Sequence, residues 1–204
     1  MTDTYNCYEE LSKSQQEGRD FLVKVVKREH PVAIIGPHAG KIELGTSELV
    51  IAIADEDCPY YLFEGIKDRS NKDLHITSTN FDEPLAIELL SICKTAIAIH
   101  GEASNKEDVY IGGLDEELRR HLSRSLTAYN FNVTRHERLQ GVDPRNICNR
   151  TLMKKGVQIE LPKGLRRRMF ESLTEAGRPH KQTAFYSFVT SIREGIQSYV
   201  QSRP

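Results

Sequence analysis

An α/β fold, an open, mixed and mainly parallel sheet with helices on both faces, is what this 204-residue sequence predicts, on three observations. Three strand-length runs have the largely apolar character of strands covered on two sides: VAIIGP at 32–37, TAIAIH at 95–100 and GVQIELP at 156–162. Strands of that kind need cover on both sides, which parallel sheets receive from their crossover helices. Amphipathic stretches of helical length alternate with these runs, the pattern that generates parallel strands. The length allows one substantial core, since a chain of this size buries about 70% of its unfolded surface. A single catalytic domain over residues 1–204 is therefore expected.

Further strands are expected at YYLFEG (60–65), VYIGG (109–113) and FNVTRH (131–136). SELVIAIAD (47–55) reads as a helix. FDEPLAIELLSIC (81–93) reads as another, with Asp82 as its cap, Pro84 in the first turn, and Leu85, Leu89 and Ile92 as the apolar stripe. LDEELRRHLSRSL (114–126) carries acids in its first turn and bases later, with Leu114, Leu118, Leu122 and Leu126 four apart. TAFYSFVTSIREGIQSYV (183–200) sets Phe185, Phe188, Val189, Ile192, Ile196 and Val200 on one side, a stripe that reads as core packing.

Composition narrows the function classes. With 28 Lys and Arg against 29 Asp and Glu the formal charge is −1, which argues against general nucleic-acid or membrane-surface binding. No apolar run approaches the roughly 20 residues of a membrane helix. The N-terminus is polar, without the pattern of a secretory signal, so the expected product is cytoplasmic as synthesised and could act outside the cell after lysis. Cys7, Cys58, Cys93 and Cys148 lie far apart, without a CxxC, and are expected to stay reduced.

Sites in sheets of this class lie beyond the carboxyl ends of the strands. His38 follows the first apolar run, with Glu43 five residues on; His100 ends the second, and Glu160 stands near the end of the third. Two histidines and two carboxylates at three strand ends form a metal-site inventory, because catalytic zinc takes three His or carboxylate ligands and keeps one position open. Each residue also has a plainer reading: backbone-bonded histidines, and for Glu160 a salt bridge to an arginine. A polar group closing an apolar strand must find some partner, and a metal is one.

PHAGKIELGTSEL, LHITSTNFDEP, AIHG, GGLDEEL, NICNR and KGVQIEL resemble, in this order, the motifs of zinc-dependent poly-γ-glutamate hydrolases of phages and prophages of bacilli. The resemblance spans residues 31–161. It implies a carboxypeptidase A-like core, one zinc ion per chain on His38, Glu43 and His100, and Glu160 as the catalytic carboxylate. It further implies endo-type cleavage of the γ-glutamyl amide bonds of a polyanionic polymer by zinc-activated water, with no nucleic-acid or membrane partner; a monomer is expected. Asn149 and Arg150 resemble the pair that grips substrate carboxylate in carboxypeptidases, and His75 and Asn80 are candidate substrate-lining residues. The family carries a histidine at the position of Asn80, a departure that leaves the zinc set untouched.

Lys163, Arg166, Arg167 and Arg168 form a basic run just after Glu160, either a solvated helix face or an attractor for an anionic polymer. Three rival functions stay open: a zinc carboxypeptidase or deacylase for another amide, a binding module that does not cut, and a thiol hydrolase using Cys93 or Cys148.

Overall fold

The computed structural model describes residues 3–202. In chain order the elements are α1 (Tyr8–Ser14), β1 (Phe21–Val26), β2 (Val32–Gly40), α2 (Thr46–Ala54), β3 (Tyr60–Gly65), α3 (Pro84–Ile92), β4 (Thr95–Glu102), β5 (Val109–Gly112), α4 (Glu116–Ala128), β6 (Val133–Thr134), β7 (Val157–Pro162), α5 (Lys163–Met169) and α6 (Thr183–Gln201). Short 3-10 turns at Asn71–Leu74 and Ile147–Asn149 complete them. The seven strands form one sheet in the order β1-β3-β2-β4-β7-β5-β6. β3, β2, β4 and β7 run parallel; β1 pairs with β3, and β5 with β7, antiparallel.

Successive side chains of a strand point to opposite faces, so the apolar runs feed two cores. Val32, Ile34, Ile97, Ile99, Val157 and Ile159 pack beneath α2, α4, α5 and α6. Ala33, Ile35, Ala96 and Ala98 pack on the other side with Leu11 of α1 and Ala86, Leu89 and Leu90 of α3. The mixed, mainly parallel architecture with helices on both faces is the one the sequence predicts.

The differences are local. Glu83, not Asp82, caps α3, its carboxylate accepting from the Ala86 N–H, while Asp82 accepts from the Tyr8 N–H. Leu85 and Ile92 are 44% and 63% exposed, and the buried side is Ala86, Leu89 and Leu90. The helix is apolar nearly all round, so periodicity alone does not select its face. The expected strand at 131–136 shrinks to two residues at the sheet edge. β1, α1 and α5 have no counterpart among the elements read from sequence. FLVKVV of β1 is an edge strand whose Lys24 pairs with Glu64 across the ladder at 2.7 Å.

Three features of this sheet place the site. β2 pairs with β4 only from Val32↔Thr95 to Ile35↔Ala98, then departs. Because β3 lies on one side of β2 and β4 on the other, the gap that opens is the topological switch point. Pro37, which has no N–H to give a ladder, sits where the β2–β3 register slips, between Gly36↔Leu62 and Ala39↔Glu64. That bulge turns His38 out of the strand's regular alternation. Gly40 follows with φ of +67°, and a Cβ there would stand 2.6 Å from the Gly65 carbonyl oxygen, so only glycine lets β2 close on β3.

Candidate metal centre and hydrolytic site

His38 and His100, from the ends of β2 and β4, face each other with their Nδ1 atoms 3.2 Å apart. Glu43, in the loop between β2 and α2, completes the group: Oε1 lies 3.4 Å from His38 Nδ1 and Oε2 3.7 Å from His100 Nδ1. The Gly101 N–H donates to Glu43 Oε2 at 2.8 Å and fixes the carboxylate. Both imidazoles are buried.

This arrangement fits a zinc ion. A tetrahedral centre with bonds of 2.0–2.1 Å has edges of about 3.3 Å, close to the 3.2 Å between the two Nδ1 atoms and the 3.4 Å from His38 Nδ1 to Glu43 Oε1, while the other carboxylate oxygen faces His100. His38 Nε2 donates to the Ile76 carbonyl at 2.7 Å, which leaves the Nδ1 lone pair facing inward, the outer hydrogen bond found on metal-bound histidines. His100 Nε2 is buried with no hydrogen-bond partner among the described residues. Converging lone pairs and a carboxylate, out of water, call for a cation.

The electrostatics point the same way. Burial works to raise the Glu43 carboxyl, but the His38 and His100 rings outweigh it and hold it down at about 2. Burial also disfavours charge on both imidazoles. It pushes His100 down to about 3, whereas the Glu43 carboxylate carries His38 above its ordinary value.

A third imidazole stands close. One ligand atom each from His38, Glu43 and His75 lie within 4.8 Å of one another, and the His75 ring stacks on His38 at 4.0 Å between centroids. His75 Nδ1 is held by Asp3 Oδ1 at 2.7 Å, and burial together with the neighbouring His38 lowers its pKa. His100 Nδ1 lies 3.2 Å from His38 Nδ1 and 3.7 Å from Glu43 Oε2, so His100 and His75 both stand beside the His38–Glu43 pair.

Glu160 is the neighbour of His100 across the β4–β7 ladder, their side chains on one face of the sheet about 5 Å apart in the ladder direction. Burial, and then the charge of Glu43, raise its carboxyl well above the ordinary range. Its Oε1 accepts from Gln158 Nε2 at 2.8 Å, and Gln158 Oε1 accepts from Asn146 Nδ2 at 2.7 Å. The relay through Asn146 and Gln158 has no signal in the sequence beyond alternation along β7, because Asn146 arrives from a separate loop.

The NICNR segment divides. Asn149 is 1% exposed and its amide is fully spent: Oδ1 accepts from the Leu114 and Gly156 N–H groups, and Nδ2 donates to the Gly141 and Asp143 carbonyls. Four backbone groups thus occupy the amide's donors and acceptor. Arg150 is half-buried. Nε donates to the Arg145 carbonyl at 2.8 Å and Nη2 to the Thr79 carbonyl at 3.1 Å, and no carboxylate pairs with it among the described residues. Thr79 belongs to the turn that carries the exposed Asn80, whose N–H donates to the Thr77 carbonyl.

The basic run divides as well. Arg168 pairs with Glu107 at 2.6 Å, Arg167 leans on Asn105, and Arg166 is 5% exposed, so the run is not a uniform solvated face. For a thiol mechanism the site is unsuited: burial pushes Cys93 up to about 11 and raises Cys148 further, and neither contacts a histidine among the described residues. No helix among the described residues is long and apolar enough to cross a membrane.

Comparison with known proteins bears on this geometry. The family model described as poly-gamma-glutamate hydrolase matches residues 5–191. The SPbeta prophage-derived UPF0714 protein YoqZ of Bacillus subtilis (strain 168) is 36% identical over 202 residues, 97% of this chain and 73% of that protein. A bacteriophage poly-gamma-glutamate hydrolase superposes with a TM-score of 0.95 at 33% identity, covering 99% of this chain and all of that one. YndL in its zinc-free form superposes at 0.88 with 30% identity over the whole of both chains. The match over nearly the full length, in sequence and in fold, makes this chain a hydrolase and a member of the poly-γ-glutamate hydrolase family.

Proposed function

We propose that this chain cuts poly-γ-glutamate internally at its γ-glutamyl amide bonds, with one zinc ion held by His38, Glu43 and His100 and with Glu160 as the general base. The observation that carries the reading is the donor triangle at the switch point, with a buried carboxylate on the adjoining strand. A zinc ion bound there supplies a Lewis acid for the carbonyl oxygen and a water whose pKa falls toward about 7.

The chain's own residues supply the rest. Glu160, raised in basicity by burial, takes a proton from the attacking water and returns it to the leaving α-nitrogen. Gln158 holds one oxygen of that carboxylate and leaves the other for the proton. Arg150, fixed by two carbonyls, keeps N–H groups for the free α-carboxylate that every unit of the polymer presents, a contact suited to the guanidinium fork. His75 and the Asn80 turn line the approach. Asn149 holds the loop on which Arg150 stands.

The test follows polymer length by gel filtration beside free glutamate, with and without chelator. Shortening before glutamate appears, halted by chelation and restored by zinc, is the expected result. Cleavage of ordinary C-terminal peptides with the polymer intact would favour a zinc carboxypeptidase or deacylase instead. Undiminished cutting after complete metal removal would overturn the zinc assignment.

A further inference from the structure

We propose that Arg166 is the positioning residue of this site: one buried guanidinium that ties together the three strand ends carrying the metal donors and the base. The inference rests on the roles assigned to His38, Glu43, His100 and Glu160. Nε donates to the Leu161 carbonyl at 3.0 Å, one residue past Glu160. Nη1 donates to the carbonyl of Leu44, one residue past Glu43, and Nη2 to that of Glu102 at 2.9 Å, two residues past His100. Leu161 and Glu102 lie in the last paired residues of β7 and β4, whereas Leu44 lies in the loop that follows β2, which has already left β4; the guanidinium thus joins that loop to the β4–β7 ladder. A planar fork of five N–H donors can span three such acceptors at fixed angles, which an ammonium cannot.

The surroundings agree with this role. Arg166 is reached from α5, which begins directly at the end of β7, and its guanidinium packs against Gly101 of β4. No carboxylate forms an ion pair with it among the described residues, although Glu43, Glu102 and Glu160 all bear on its charge. Buried cations are ordinarily paired; here carbonyls take all the contacts, so the group holds backbone rather than a partner charge. Gly101 makes room for it. A Cβ at that position would stand 2.8 Å from Arg166 Cζ and 3.0 Å from both Nη atoms. The glycine after His100 is thus the seat of the guanidinium.

The experiment compares R166K, R166M and G101A with the unsubstituted chain and with R178M. Arg178 is a part-buried arginine of the same side of the molecule that bonds Glu48 and the Leu173 carbonyl, none of them in the site. Zinc affinity is read by competition with a chromogenic chelator, kcat and KM with poly-γ-glutamate, and Tm by thermal denaturation. Each Arg166 variant and G101A should bind zinc at least about tenfold more weakly and lose about 30-fold or more in kcat, with KM within about threefold. R178M should lower Tm with zinc affinity and kcat within about twofold. Should R166M fail to fold, R166K, which keeps the charge and loses the fork, gives the reading. Arg166 variants that lower Tm as R178M does, with zinc affinity and kcat unchanged, would overturn the proposal. Were the unsubstituted chain to bind no zinc, the metal assignment would fall, and the kcat comparison between R166M and R178M would still decide the role of Arg166.

Discussion

The two halves of β4 and β7 have the same backbone ladder and opposite tasks. Over Thr95 to Ile99, β4 alternates Ala toward α3 and Ile toward α2, all buried, and Val157 and Ile159 of β7 repeat the larger row. From His100 and Glu160 onward the pairing continues unbroken to Glu102↔Pro162, yet polar side chains, His100, Glu102 and Glu160, enter the ladder. What changes is the neighbour. β2 leaves β4 after Ile35↔Ala98, and the space it vacates admits donors that a closed sheet would exclude. Stability and chemistry are thus separated along the strand axis, about 3.3 Å per residue, rather than between strands.

Substitutions on either side of that division sharpen it. Glu160→Gln keeps a hydrogen-bonding side chain but cannot accept the water's proton; turnover is expected to fall about 10³-fold, with metal content and Tm essentially retained. Loss of the metal in that variant would move Glu160 to the ligand set. His100→Ala, one residue past the apolar half, should lose metal and activity together, whereas His75→Ala should keep the metal; the reverse pattern, read by metal analysis, would exchange their roles. On the near side, Ile99→Ala is expected to cost about 2–5 kcal/mol of unfolding free energy in denaturant titration, while the folded fraction keeps its kcat. A collapse of kcat in fully folded Ile99→Ala would break the division itself.

Smaller effects concern the rim. Arg150→Ala should lower kcat/KM on the polymer by about 10- to 100-fold, the worth of one or two charge-assisted hydrogen bonds, and leave metal binding alone. Alkylation with iodoacetamide at neutral pH is expected to leave the rate unchanged, because burial holds the Cys93 and Cys148 thiols protonated. Inactivation that tracks labelling of either cysteine would count against the metal mechanism.

The residues explain which parts of this were legible. Largely apolar runs of strand length point to buried parallel strands, so β2, β4 and β7 stand out, and the polar residue at or just past the end of each apolar stretch is His38, His100 or Glu160. Those signals are local. β1 hides because an edge strand with one wet face and a lysine in it has weak alternation. The burial of Arg166 hides for a different reason: its three acceptors lie 5, 64 and 122 residues away, and carbonyls are carried by every residue, so no side-chain pattern announces them. Asn149 shows the same blindness. Beside an arginine it resembles a recognition pair, and only the four backbone groups around it reveal that its capacity is used up.

His38 and His100 stand 62 residues apart in the chain and meet only when β2 and β4 lie side by side. In the unfolded ensemble the donors are scattered, so a cation they share binds the native form alone. Free metal then acts as a thermodynamic lever on folding, adding about 4 kcal/mol at a thousandfold excess over its dissociation constant. On the proposed zinc assignment the melting temperature should rise with the free zinc supplied, a dependence that thermal denaturation across a zinc series would read.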